Sequence, residues 1–301
     1  MNHEQLITTL ALAERLCPSM NGASADRLAD VLERLGPAGL DRAAVLDTED
    51  SEWIEKGFAA ISAADCDRWG RVAAELKSDN IDVITSADGR YPDNLRMIHN
   101  RPPVLFVRGE FVPGDNRAVA VVGTRTASEA GVHAASEVAR QLVARGITVI
   151  SGLAEGIDTA AHAAALNAGG RTIAVFGTGI RRTYPRQNRG LARAIATSGA
   201  CVSQFMPNQS GTRWTFPMRN IVTSGLSLGT VVIEAGPTSG AKLQAHDALR
   251  HGKRLFLLRR LVESQQWARE LAELPGVRAV DGTEEIVAAV DVELDRELTL
   301  L

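Results

Sequence analysis

The stretch ITVISGLAEGIDTAAH (Ile147 to His162) decides the fold. An apolar, largely β-branched run closes on Gly152, a second glycine stands at Gly156, and Asp158 and Thr159 open an alanine-rich helical pattern. A continuous apolar run of this length reads as a strand buried on both faces, and its passage through a glycine turn into a helix is half of a βαβ unit. Similar strands recur at VAVVG (Val119 to Gly123), TIAVFG (Thr172 to Gly177), ACVSQF (Ala200 to Phe205), TVVIEAG (Thr230 to Gly236) and RLFLL (Arg254 to Leu258), with VRAVDG (Val277 to Gly282) as a short last one. Helical spacing separates them. The pattern predicts an α/β fold with a doubly wound, mostly parallel sheet, spanning residues 117–290.

Upstream the periodicity changes. From Leu6 to about Leu76 apolar residues recur at three and four, interrupted by the turns PSMNG (Pro18 to Gly22) and LGPAG (Leu35 to Gly39). Residues 1–78 are therefore expected to form a small all-helical domain, in which Ser24 or Asp26 caps the helix of Leu28, Val31, Leu32 and Leu35 and Gly36 and Pro37 end it. Residues 79–116 read as a lead-in: the strand IDVIT (Ile81 to Thr85), the turn SADGRYP (Ser86 to Pro92), the strand PPVLFVRG (Pro102 to Gly109) and a polar joint from Glu110 to Asn116. Residues 291–301 read as an acidic tail or terminal helix.

Composition excludes several classes. With 301 residues, 45% apolar and 23% charged, the chain is neither disordered, collagen-like nor a disulfide scaffold. No apolar run reaches the roughly 20 residues of a membrane-spanning helix, and Glu4 and Glu14 stand where a signal peptide needs a basic end, so a cytoplasmic protein is expected. Cys17, Cys66 and Cys201 are odd in number and far apart, and are expected to be buried free thiols. The net charge of -3 hides a division: residues 1–110 carry -7, residues 111–260 carry +11 and residues 261–301 carry -7. No acidic residue lies between Asp158 and Glu234, while eight arginines do. Uncompensated like charge at this density is relieved by a polyanion.

In an open parallel sheet, ligands bind beyond the carboxyl ends of the strands. There the chain places GTRTASEAG (Gly123 to Gly131), with Ser128 positioned to cap the next helix, and SGLAEGIDTAAH (Ser151 to His162). GTGIRRTYPRQN (Gly177 to Asn188) follows, then the loop QSGTRWTFPMRN (Gln209 to Asn220) and EAGPTSGAKLQAHDALRHGKR (Glu234 to Arg254). The spacing after the first strand is not G-x-G-x-x-G, so a dinucleotide site is not expected. Tyr184 among Arg181, Arg182 and Arg186 suits phosphates with stacked bases. Asp158 and His162, four residues apart, read as a helix-start carboxylate and a hydrogen-bonded histidine more readily than as an acid and base. No nucleophile, base and carboxylate share a motif, and no cluster has metal-ligand spacing.

At these strand ends the sequence resembles the DprA (Smf) family of DNA-processing proteins. VAVVGTR, SGLAEGIDTAAHAAAL, TIAVFGTG followed by YPRQN, FPMRN followed by SGLS, and VVIEAGPTSG occur in family order, with YPDNLRMI and PPVLFVRG as the lead-in. The resemblance runs from about Leu6 to Val290. It implies a sterile-alpha-motif-like helical domain, an extended Rossmann-like domain with no nucleotide cofactor, a homodimer, single-stranded DNA as ligand and a RecA-type recombinase as partner, without catalysis. Arg125, Arg186 and Arg219 correspond to its basic pocket. The expected DNA-binding set is Gly123, Arg125, Ser151, Gly152, Gly156, Arg181, Arg182, Arg186, Asn188, Arg219, Asn220, Ser239, Gly240 and Lys242, with the three family arginines converging on one exposed rim.

The chain departs from the family at Ile221, where a second arginine is usual, at Arg181, where an acid is expected, at SGAKLQA, and at Arg259 and Arg260. With 41 residues after Arg260, the winged helix of many members is not expected. Two other functions compete with DNA binding. One is a nucleotide-binding or nucleotide-processing protein, since cytokinin-activating phosphoribohydrolases share a related sheet, although SLGTVVIEAG lacks their P-G-G loop. The other is a subunit of a phage-defence module.

Overall fold

The computed structural model describes residues 2–20, 22–36 and 46–299. Asn21 of the first expected turn, residues 37–39 of the second and the last two residues of the acidic end lie outside them.

Among the described residues four helices come first: α1 (His3–Leu16), α2 (Ala23–Leu35), α3 (Thr48–Ala59) and α4 (Ala63–Ser78). Asn2 with Gln5, and Ser62 with Asp65, close capping boxes on α1 and α4. Neither Ser24 nor Asp26 caps α2. The N-cap is Gly22 at φ +80°, whose carbonyl accepts from Ala25 and Asp26, so the helix starts ahead of both side chains. It ends on Gly36 at φ +65°, a left-handed position that glycine takes without steric cost. Arg15 meets Asp65 at 2.7 Å and the Trp69 indole donates to Glu14 at 3.0 Å, fastening α1 to α4.

The remaining elements are β1 (Ile81–Thr85), α5 (Asp93–Arg96), β2 (Val104–Gly109), β3 (Ala118–Val122), α6 (Glu129–Ala144), β4 (Thr148–Ser151), α7 (Ile157–Asn167), β5 (Thr172–Val175), α8 (Arg189–Ser198), β6 (Ala200–Ser203), α9 (Thr215–Gly225), β7 (Gly229–Val232), α10 (Gly240–Arg250), β8 (Arg254–Leu258), α11 (Arg259–Ser264), α12 (Gln266–Ala272), β9 (Val277–Val280) and α13 (Thr283–Thr299). They form one nine-stranded sheet in the order β1-β2-β6-β5-β4-β3-β7-β8-β9. From β6 to β9 all pairings are parallel, whereas β2 runs antiparallel to both β6 and β1. The lead-in strands thus extend the sheet itself. The acidic end is helical as far as Thr299.

Every residue of β3 is buried, as a central strand covered on both faces requires. Val119 and Val121 cluster with Ala135, Val138 and Leu142 of α6 and Ile157 and Ala161 of α7, while Ala118 and Ala120 cluster with Ile221, Val222 and Leu226 around α9. Leu10, Leu28, Leu32 and Trp69 of the helical region share a third core with Val104, Phe106, Ala174 and Phe176, so the small helices seal one face of the sheet. Cys17 and Cys201 are buried, and desolvation pushes both thiols up to about 12. Cys66 is exposed, contrary to the expectation, because α4 turns it away from the face carrying Asp65, Trp69 and Leu76.

One topological feature positions the site. β4, β5 and β6 lie on one side of β3, and β7, β8 and β9 on the other. The winding reverses between β3 and β7, which opens a crevice at their carboxyl ends.

Candidate nucleic-acid interface

Two depressions line the carboxyl ends of the strands. The first, about 530 Å³, is walled by Gly123 to Thr126 after β3, Gly152, Ala154 and Asp158 after β4, Phe216, Pro217, Arg219 and Asn220 of α9, and Gly236, Thr238, Ser239 and Gly240 at the head of α10. The second, about 500 Å³, is walled by Thr178, Arg181, Arg182, Tyr184, Arg186, Arg189, Asn208 and Gly211. An aromatic ridge separates them. The Tyr184 and Phe216 rings are 5.4 Å apart, and the Arg125 guanidinium lies 5.2 Å from the Phe216 centroid, within cation–π range. Tyr184 is 53% exposed. Trp214, 63% exposed with Arg213 stacked on it at 4.8 Å, continues the apolar surface.

Arg219 is not on an exposed rim. The expected loop Gln209 to Asn220 becomes helix α9 at Thr215, with Pro217 in its first turn, where a missing N–H leaves no bond unmade. This turns Arg219 inward until only 9% is exposed. Its Nη1 donates to the Val175 carbonyl at 2.9 Å and its Nε to Asn220 at 3.3 Å. Gly152 makes room for it, since a Cβ there would sit 1.6 Å from Nη1. Burial pulls the guanidinium pKa down, with Asp158 opposing and Arg125 adding to the effect. Burial also raises the Asp158 pKa, opposed by Arg219 and by the Gly152 and Ala154 N–H groups, which both donate to the carboxylate at 3.2 Å.

The other expected residues divide by duty. Arg125, Arg182 and Arg186 are exposed at the depressions, with Arg182 Nε donating to the Asn208 carbonyl at 2.5 Å. Gly123 lets α7 approach, a Cβ there falling 2.5 Å from Ile157. Gly156, at φ +75°, turns the loop against the Thr124 carbonyl. Ser239 caps α10 through the Ala241 N–H, and Asn220 donates to the Gly240 carbonyl at 3.4 Å. Ser151, Asn188 and Lys242 are not in the walls. Ser151 Oγ donates to Val121 at 2.6 Å across the sheet, Asn188 holds the Leu153 carbonyl at 2.9 Å and Thr159 at 2.8 Å, and Lys242 lies over the Trp267 ring at 6.0 Å. Arg181 stands in the second depression but donates to Glu75 at 2.8 Å and lies 2.9 Å from Asp79, tying the strand end to the close of α4.

Asp158 and His162 do not meet as an acid and base. His162 is fully buried, its Nδ1 is 2.7 Å from Thr172 Oγ1, and desolvation lowers its pKa to about 3. Glu234 accepts from Ser128 Oγ at 2.8 Å, and Ser128 also accepts from the Gly131 N–H as the cap of α6. Thr124, Thr126, Gly236 and Thr238 were not singled out by the sequence, having no charge or periodicity to mark them. Among the described residues no group of His, Cys, Asp or Glu could hold a metal ion, and no helix is long and apolar enough to cross a membrane.

Sheet order and strand-end chemistry together define a Rossmann-like protein with a basic, aromatic-ridged groove at its switch point. Residues 82–288 match the family described as DNA recombination-mediator protein A, and the chain belongs to that family. It is 35% identical over 187 residues to the DNA processing protein DprA of Bacillus subtilis, covering 62% of this chain and 63% of that protein. To Protein Smf of Synechocystis sp. it is 38% identical over 188 residues, covering 61% and 47%. The chain therefore spans about half to just under two thirds of the length of these relatives. The structure of DprA from Streptococcus pneumoniae is similar at a TM-score of 0.66 and 26% identity, over 95% of this chain and 93% of that one. DNA processing protein A from Helicobacter pylori, described with a single-stranded DNA binding mode, shares the fold at a TM-score of 0.62 and 22% identity, over 72% and 96%.

Proposed function

We propose that this chain is a non-catalytic single-stranded DNA binder that assists a RecA-type recombinase and acts as a homodimer. The observation that carries the DNA reading is the ridge of Phe216 and Tyr184 between two depressions edged by Arg125, Arg182 and Arg186. Aromatic faces accept any base, and guanidinium groups accept phosphates, which gives sequence-tolerant binding. The family membership supports the recombination role, and the Helicobacter relative supports the ligand. Titration with fluorescent oligo-dT at several salt concentrations tests the reading. With roughly four to six phosphates neutralised, log affinity falls against log salt at a slope of about -3 to -4. Salt-independent binding, or tighter binding of a mononucleotide, overturns it.

Non-catalysis is supported by the engaged state of the ionisable groups: His162 is sealed away from Asp158, and the Glu234 carboxylate is occupied by Ser128. A second reading, binding of one free nucleotide, is favoured only by the first depression, whose volume and polar lining suit a single nucleotide. The same titration with a mononucleotide separates the two.

A further inference from the structure

Three arginines at the head of α8 have no duty in the fold. Arg186, Arg189 and Arg193 are exposed, and among the described residues none of them has an ion pair or a side-chain hydrogen bond. Their placement works against the helix. Arg189 is its first residue and Arg186 opens the single 3-10 turn before it, so cations crowd an N-terminus whose dipole disfavours them. Arg189 and Arg193 are one turn apart, a spacing at which like charges repel. By contrast α6 and α7 open on Glu129 and Asp158, as the dipole favours. The stripe cannot turn inward, because Ala192 and Ile195 fix the buried face of α8 against the sheet. Glu155, close to the head of the stripe, is engaged by the Gln187 amide.

The stripe also begins in the right place. Arg186 and Arg189 both line the second depression, and Arg193 lies one turn beyond its wall. Three residues of 3-10 helix advance about 6 Å, and four residues of α-helix also advance about 6 Å. The guanidinium groups are thus mounted at equal intervals, each comparable to one nucleotide step of an extended single strand.

We propose that α8 is an extension of the strand path: single-stranded DNA that crosses the Phe216 and Tyr184 ridge leaves the rim along Arg186, Arg189 and Arg193, each taking one phosphate. The proposal rests on the single-stranded DNA reading above and adds the exit track and its direction. The test uses the full chain, oligo-dT of about 5 and about 20 nucleotides, and the variants R189Q/R193Q, R140Q/R145Q and R125A. For R189Q/R193Q the long oligonucleotide binds several-fold more weakly and its salt slope falls by about 1.4, two phosphate contacts at about 0.7 each. The short oligonucleotide, which meets Arg189 in the wall of the second depression and does not reach Arg193, loses at most one contact, about 0.7 in slope, and R140Q/R145Q, with the same charge removed from α6 and the turn after it, changes neither length. Equal losses in both double variants, equal losses for both lengths, or an unchanged slope overturns the track, including the case in which the stripe serves an acidic protein instead. R125A weakens both lengths. If it weakens neither, the rim reading itself fails, an outcome distinct from failure of the track.

Discussion

Removing Arg219 separates its part in the fold from its part in binding. In Arg219→Ala the hydrogen bond to the Val175 carbonyl is lost and Asp158 keeps its place without the buried cation that opposes its charge. A hydrogen bond to a charged group contributes about 1.5–3 kcal/mol. Breaking a direct buried ion pair costs about 3–5 kcal/mol, but Asp158 and Arg219 interact without such a pair, so about 2–3 kcal/mol is expected in all. With an unfolding entropy of about 2.1 cal/mol/K per residue, a chain of 301 residues loses roughly 3–5 °C in Tm. The pH dependence carries the sharper test. Burial raises the Asp158 pKa, so between its unfolded and folded values the folded chain keeps a proton that the unfolded chain has released, and stability falls as pH rises through that window. Without Arg219 the folded value rises further and the window widens upward. The Tm difference between variant and parent should therefore be larger at pH 8 than at pH 5, and Asp158→Asn in the Arg219→Ala background should recover part of it. Thermal melts across that range check this. An equal difference at both pH values, or no recovery, refutes the coupling.

Arg125→Ala and Arg186→Ala should each lower the oligo-dT salt slope by about 0.7 while leaving Tm within the scatter of surface substitutions, whereas Arg140→Ala, whose side chain meets Glu137 on α6, should do neither. Phe216→Ala or Tyr184→Ala should weaken binding by about 1–3 kcal/mol for each base unstacked with the slope unchanged, which fluorescence titration at two salt concentrations resolves. Glu75→Gln with Asp79→Asn should free Arg181 for a phosphate and steepen the slope by about 0.7; an unchanged slope means the guanidinium does not face the DNA. Incubation with nucleoside monophosphates should release no base, and turnover that vanishes in Glu234→Ala would favour the nucleotide-processing alternative.

The strands were legible because each is an apolar run, most of them closing on glycine, and burial on both faces leaves that run no alternation to obscure it. The doubly wound order followed from the helices between them. The loop before Asn220 was not legible: a proline and two aromatics suggest irregular chain, yet a first-turn proline is compatible with a helix, and only the packing of α9 shows that Arg219 faces Val175. Cys66 and the cap of α2 failed for a related reason, since which way a residue faces depends on a helix phase that short amphipathic segments fix poorly.

Charge was legible as a total and not as a distribution. Of the eight arginines between Asp158 and Glu234, Arg171 meets Asp115 at 2.6 Å, Arg181 meets Glu75, and Arg219 is buried. Their partners or surroundings come from segments distant in sequence, so counting along the chain overstates the free charge. Arg182, Arg186, Arg189, Arg193 and Arg213 remain without a carboxylate partner among the described residues, and Arg125 joins them from the first strand end. Six such groups at about 0.7 each cap the salt slope near -4. A measured slope much steeper than that would require either cations away from this rim, such as Lys242 or Arg260, or release of Arg171 and Arg181 from their carboxylates.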